Sequence, residues 1–117
     1  MPRFKQSLGF AFQGLIIAWE EKHVRVHVII ALLVAIAGFS FRVTHTEWLI
    51  LLLLFALVIS LEIMNTAIER FVDIVQPEWH EKAGKIKDLA AGAVLCTSIF
   101  AAISGILIFG KYILALL

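Results

Sequence analysis

Four polar side chains recur in the stretch EIMNTAIERFVD: Glu62, Asn65, Glu69 and Asp73. Steps of three, four and four residues, at about 100° each, place them on one helical stripe about 80° wide. The rest of that circumference is mostly apolar: Ile63, Met64, Ala67, Ile68, Phe71 and Ile74. The preceding run, WLILLLLFALVISL, carries no charge. A charged group at membrane depth is costly and is normally buried, paired and functional. Glu62 follows Ile59, Ser60 and Leu61 directly, so its carboxyl stands at the apolar end of the stripe, where a desolvated carboxylate could serve as a general base. Glu69 lies two turns further on, about 10 Å along the axis, where a metal ion at the aqueous boundary could be held. Asp73 suits the same seam or a surface charge beyond the interface.

Further polar groups cluster on either side of this stripe in sequence. Lys87 stands just before the charge-free run Leu89–Gly110, and helical steps from it meet Ala91, Val94, Ser98, Ala101, Ala102 and Gly105. Small residues on one stripe let another helix approach closely. Lys87 at the mouth of that interface suits a phosphate contact or a snorkelling lysine. Glu21 suits either an i,i+4 pair with Arg25 or a second carboxylate for a divalent cation. His23 and His27 have helical spacing but no third ligand nearby, so no zinc site is expected. His80, beside Trp79, suits a nucleotide contact or a wet loop residue. Cys96 is expected to be a small packing residue.

These groups need a scaffold, and the composition restricts it. Of 117 residues, 62% are hydrophobic and 16% charged, with mean hydropathy +0.98. Soluble domains are about 45–50% apolar. The expectation is an all-α integral membrane protein forming a single domain over residues 1–117. A formal charge of +1 gives no argument for a nucleic-acid partner, and none is expected. The single cysteine excludes an intrachain disulfide. The start, MPRFKQSLGFAFQG, lacks the continuous apolar core of a cleavable leader, so none is expected. No phosphate-binding loop or dinucleotide fingerprint of a soluble nucleotide fold is present.

Residues 2–22 place Phe4, Leu8, Phe12, Leu15 and Trp19 at helical spacing between polar residues, as in an amphipathic helix lying on a membrane surface. Three spanning helices follow, at 24–43, 47–75 and 86–114. Pro77 ends the second of them, and a new helix can begin anywhere from 81 to 86. Eight basic residues (Arg3, Lys5, Lys22, Arg25, Arg70, Lys82, Lys85, Lys87) flank one face and two (Arg42, Lys111) the other. This asymmetry puts the N-terminus and the 76–88 connection in the cytoplasm.

The combination EIMNTAIERFVDIV, PEWH and KIKDLAAGAVL, preceded by FAFQGL and EKHVRVH, resembles the small bacterial membrane kinases of the diacylglycerol kinase and undecaprenol kinase family. The resemblance covers about residues 3–105. It implies a homotrimer of three-span protomers in the bacterial cytoplasmic membrane, phosphorylating a membrane lipid alcohol with ATP and Mg²⁺. Under it, Glu62 is the catalytic base, Asn65 belongs to the same polar site, Glu21 and Glu69 are metal ligands and Lys87 contacts phosphate. Asp88 and Arg3 are implied as supporting residues of the nucleotide site, and Glu78 and His80 as nucleotide contacts. RVH at 25–27 and KDLAAGAVL are similar to the undecaprenol branch, with diacylglycerol as the alternative substrate. A small proton-coupled transporter would also use an intramembrane glutamate, but has no need of carboxylates and lysine gathered at one mouth.

Overall fold

The computed structural model describes residues 3–117, which form four helices and, among the described residues, no strand. They are α1 (Phe4–Trp19), α2 (Lys22–Phe41), α3 (His45–Val75) and α4 (Glu81–Leu116). The last three are each long and apolar enough to cross a membrane. With their flanking charges they make this an all-α, multi-pass membrane protein. The expectation that the surface helix starts at residue 2 lies outside the described residues.

Capping chemistry sets the helix ends, and it moves three of the expected boundaries. The backbone N–H of Arg3 donates to Gln6 Oε1 (2.9 Å) at the start of α1. α1 stops at Trp19, short of the expected residue 22, because Glu21 turns extended (φ −83°, ψ 126°) to become the N-cap of α2. Arg25 does not pair with Glu21; its Nη1 donates to the Trp19 carbonyl (3.3 Å), which otherwise lacks a partner at the end of α1. α2 closes two residues before the expected 43. Arg42 is left-handed (φ 53°) and Val43 N–H reaches back to the Gly38 carbonyl (3.1 Å), a Schellman closure.

Thr44 and Glu47 then start α3 with a reciprocal capping box. Glu47 N–H donates to Thr44 Oγ1 (3.2 Å) and Thr44 N–H to Glu47 Oε1 (2.9 Å). α3 has 31 residues, about 46 Å, against a hydrocarbon core of about 30 Å. It therefore protrudes, and Pro77 bars its continuation. α4 starts at Glu81, at the early end of the 81–86 range and five residues ahead of the span expected at 86–114, because His80 Nδ1 accepts from Lys82 N–H (3.1 Å) as a side-chain cap. Lys87 and Asp88 thus lie in the second turn of α4 instead of opening it.

α4 packs antiparallel along α3, with α2 against the other flank. The packed core lies at the Arg42/Lys111 end: Val43, Leu51 and Ile108 are buried, flanked by Val34, Phe41, Trp48, Phe55, Phe109 and Tyr112. Above it, Glu47 is nearly buried and holds α4 by two side chains. Lys111 Nζ lies 2.9 Å from its Oε2, and the Tyr112 hydroxyl donates to its Oε1. Most other large apolar side chains point outward, including Leu33, Leu53, Leu89 and Leu107. In hydrocarbon this carries no penalty, since lipid tails are as apolar as leucine. Cys96, expected in packing, is on the exposed side of the chain.

α2 meets α3 tightly at Gly38. A Cβ there would lie 2.8 Å from Trp48 Cη2 and 2.9 Å from Cζ2, while Phe39 flanks the same indole at 4.7 Å between centroids. Gly38→Ala is expected to destabilise the protein by about 1–3 kcal/mol through overpacking. Thermal unfolding in dodecylmaltoside micelles measures this. The loss should shrink in a Trp48→Phe background, whose smaller ring withdraws the crowded edge. An equal loss in both backgrounds would show that the indole contact is not the cause.

Candidate active site

The face of α3 that turns toward α2 and α4 carries Glu62, Asn65 and Thr66, all buried. Glu62 is 5% exposed. Its Oε2 lies 3.5 Å from His27 Nε2, which α2 contributes from the turn after Lys22–Arg25. One turn further along α3, Asn65 Nδ2 donates to Glu69 Oε1 (3.3 Å). Asn65 Oδ1 is sealed from solvent and accepts no hydrogen bond. A buried acceptor without a donor is rare in folded proteins and calls for a partner, such as water or an ion. Glu69 itself is half-buried, and Asp73 is exposed. The polar stripe therefore grades from a buried carboxyl to a solvated one within one helix.

Two ion pairs bring other elements to the solvated end. Arg70 Nη2 lies 2.7 Å from Glu21 Oε1 and 3.9 Å from Glu20 Oε2, which ties the α1–α2 turn to α3 next to Glu69. Lys87 Nζ lies 2.8 Å from Asp73 Oδ1, tying the second turn of α4 to the last turns of α3. Glu62, Asn65, Glu69, Glu21 and Lys87 thus occupy the same end of the helix bundle. No ion pair among the described residues joins the Arg70 and Lys87 groups. Nor, among the described residues, do three Asp, Glu, His or Cys side chains gather as a ready-made metal cage. Mg²⁺ does not need one, because it takes one or two carboxylates and completes its shell with water and substrate phosphates. Glu69, Glu21 and the unpartnered Asn65 Oδ1 are hard oxygen donors of that kind.

The remaining expected residues are more dispersed. Arg3 is exposed at the far end of α1, about 24 Å from Glu20 by helix length, and does not join the group. Glu78 is exposed, and its carbonyl accepts from Gln76 Nε2 (3.3 Å). His80 is occupied as the N-cap of α4. It lines a small hollow of 190 Å³ with Val72, Gln76 and Lys82. Asp88 is exposed on α4, beside Lys87 in sequence.

A groove of 320 Å³ opens between α2, α3 and α4 on the membrane side of Glu62. Ile30, Val34, Leu54, Val58 and Ile59 form its oily walls. Ala101, Ala102 and Gly105 form the floor on α4, and His27 is its most polar lining residue. Of the small-residue stripe inferred from Lys87 outward, Ser98, Ala101, Ala102 and Gly105 line this groove, while Ala91 and Val94 do not.

Sequence reasoning passed over two members of the site. His27 reads from spacing as half of an i,i+4 histidine pair and from resemblance as part of RVH, and neither pairs it with Glu62. The usable signal was its position: an ionisable group inside the apolar run VHVIIALL invites a search for an intramembrane partner. Arg70 entered only as a marker of orientation. Its contact with Glu21 spans 49 residues, and nothing in local spacing announces it.

Comparison with known proteins agrees with this architecture. The sequence profile of the family described as prokaryotic diacylglycerol kinase matches residues 9–109. An undecaprenol kinase of Bacillus subtilis (strain 168) is 39% identical over 113 residues, covering 93% of this chain and 89% of that protein. A diacylglycerol kinase of Helicobacter pylori (strain ATCC 700392 / 26695) is 36% identical over 115 residues, covering 97% and 87%. A diacylglycerol kinase of Escherichia coli (strain K12) is 33% identical over 103 residues, covering 87% and 84%. A three-span bundle with acids and bases gathered at one end, matched by this family over most of its length, is a membrane lipid kinase: the chain belongs to the prokaryotic diacylglycerol kinase family.

Proposed function

We propose that this lipid kinase transfers the γ-phosphoryl group of ATP to the hydroxyl of undecaprenol, giving undecaprenyl phosphate, with Mg²⁺ as cofactor. The observation that carries the reading is the graded stripe on α3. Buried Glu62 lies one turn beyond Val58, which lines the oily groove, and half-buried Glu69 lies two turns nearer the solvated end, where it accepts from Asn65. Support for undecaprenol comes from Arg25-Val26-His27, from KDLAAGAVL, and from similarity to the Bacillus undecaprenol kinase. The relatives named diacylglycerol kinase support a second reading, in which diacylglycerol becomes phosphatidic acid.

The chemistry asks for positioning and charge neutralisation more than for covalent help. Glu62 takes the hydroxyl proton as the alcohol oxygen attacks the γ-phosphorus. The new O–P bond forms while the bond to the bridging oxygen breaks, and its electron pair leaves on ADP. Glu69, Glu21 and Asn65 Oδ1 would hold Mg²⁺, which neutralises charge on the transferring phosphates. Glu21 and Lys87 each have a protein partner now, Arg70 and Asp73. Mg·ATP would exchange those partners: Glu21 toward metal, Lys87 toward phosphate. Asp88 supports Lys87, while Glu78, His80 and Arg3 supply outer contacts to the nucleotide. Because Arg3 stands far from Glu69 in its own chain, a homotrimer is the assembly that completes this site. The basic-residue asymmetry sets the Arg70/Lys87 end, and with it the N-terminus and the 76–88 connection, at the cytoplasmic face of the bacterial inner membrane, where ATP is available.

Purified protein in mixed micelles with labelled ATP is expected to phosphorylate undecaprenol only when Mg²⁺ is present, with kcat/KM above that for diacylglycerol at equal surface concentration. Preference for diacylglycerol would reverse the substrate assignment and leave the kinase intact. Failure with both lipids, in folded protein, would remove the proposed reaction.

Glu62→Gln should lower kcat by about 10²-fold or more with little change in nucleotide affinity, since it removes the base and keeps the side chain's size. Glu69→Gln should weaken apparent Mg·ATP binding by about tenfold or more, because a hard cation loses an anionic oxygen. Steady-state turnover and metal-dependent nucleotide binding separate the two roles, with size-exclusion chromatography as the folding control. Normal turnover in the first variant, or unchanged affinity in the second, would eliminate the corresponding role.

A further inference from the structure

We propose that His27 is a positioning residue for Glu62, holding one carboxylate oxygen so that the other is presented to the lipid hydroxyl. This rests on the reading of Glu62 as the base. The geometry is specific. Among the described residues, His27 makes the one ion-pair contact to Glu62, with Nε2 3.5 Å from Oε2. The side chains are 21% and 6% exposed, so little water competes. No other side chain described pairs with the Glu62 carboxylate, so in this structure the His27 ring is the group that distinguishes its two oxygens.

His27 also stands where the groove ends. Its ring lines the wall with Ile30 and Ala31 of α2 and faces Ile59 of α3 and Ser98 of α4. A lipid hydroxyl arriving along that wall meets the His27–Glu62 pair before it meets Asn65 or Glu69. A separation of 3.5 Å is long for a hydrogen bond. Catalytic contacts of this kind shorten when the substrate excludes the remaining water. With the ring proton on Nε2, imidazole donates to Oε2 and leaves Oε1 to accept the alcohol proton. His27 forms and breaks no covalent bond in this scheme. Of the basic residues at this end of the bundle, Arg70 and Lys87 are taken by Glu21 and Asp73, and Arg25 donates to the Trp19 carbonyl.

The substitutions that test this separate a donor at the right reach from mere polarity. His27→Gln places an amide N–H near the position of Nε2, whereas His27→Asn is too short to reach Glu62. His27→Leu keeps bulk and removes the donor. Losing a hydrogen bond to a charged group at the reacting centre corresponds to about 10–100-fold in kcat. His27→Asn and His27→Leu should show that loss with an unchanged KM for Mg·ATP, and His27→Gln should retain at least about a third of the native kcat. In a Glu62→Gln background, His27→Leu should add nothing, because its effect runs through the missing carboxylate. Size-exclusion chromatography and thermal unfolding control for folding; should His27→Leu fail to fold, the Asn–Gln contrast decides. The proposal is overturned by native kcat in His27→Asn, by equal loss in Asn and Gln, by a rise in lipid KM with kcat intact, or by additive losses with Glu62→Gln. Native activity of Glu62→Gln alone would instead strike down the base assignment, an outcome distinct from all of these.

Discussion

Hydrocarbon offers no water to an ionised carboxylate, and at the centre of a spanning helix such a group costs about 2.5–3.5 kcal/mol even on the mildest scale. The placement of charge in this chain follows from that constraint. Between Trp48 and Leu61 α3 has no acidic or basic residue, and between Leu89 and Gly110 neither does α4. The acids that remain stand at the two ends of the bundle, and each end is tied by them. At one, Glu47 bridges its own helix start to Lys111 and Tyr112. At the other, Glu21 meets Arg70 and Asp73 meets Lys87.

The two ends use the same chemistry to opposite effect. Around Glu47 every acceptor has a donor: the capping box, the ammonium and the phenol close it completely. Such a satisfied network holds helices in register and has no capacity left for a ligand. Around Glu62 to Glu69 the network is deliberately short of donors. Asn65 Oδ1 accepts nothing, Glu62 has only a distant imidazole, and Glu69 has one amide. Unmet polar groups at membrane depth are tolerated where a substrate meets them, and here they follow on α3 directly after Val58 and Ile59, which line the oily groove with His27.

The α1–α2 turn shows how a small local choice reaches the site. Extended Glu21 ends one helix and begins the next, so its carboxylate swings away from Arg25 toward Arg70. The same two-residue break turns α1 out of the bundle, exposed along almost its whole length with only Ala18 buried. Its apolar side chains Phe4, Leu8, Phe12 and Leu15 need a membrane surface to cover them.

The amino-acid sequence by itself determined the membrane class, the helical content, the three spans and the polar face of α3. Those properties are periodic or compositional, and a helix of 3.6 residues per turn converts spacing into a face without help from the rest of the chain. The capping box at Thr44 and Glu47 was equally legible in T-x-x-E, although its second duty toward α4 was not. The boundary at Glu81 depended on a histidine ring accepting from a backbone N–H, which residue type alone does not announce. Partner choice was decided only by tertiary structure. Arg25 or Arg70 for Glu21, Asp73 or phosphate for Lys87, and His27 for Glu62 are choices between groups 14 to 49 residues apart. In a membrane such choices turn on how α2 and α4 settle against α3. Small residues and Gly38 permit close approach there, and no local pattern encodes which charges will then face each other.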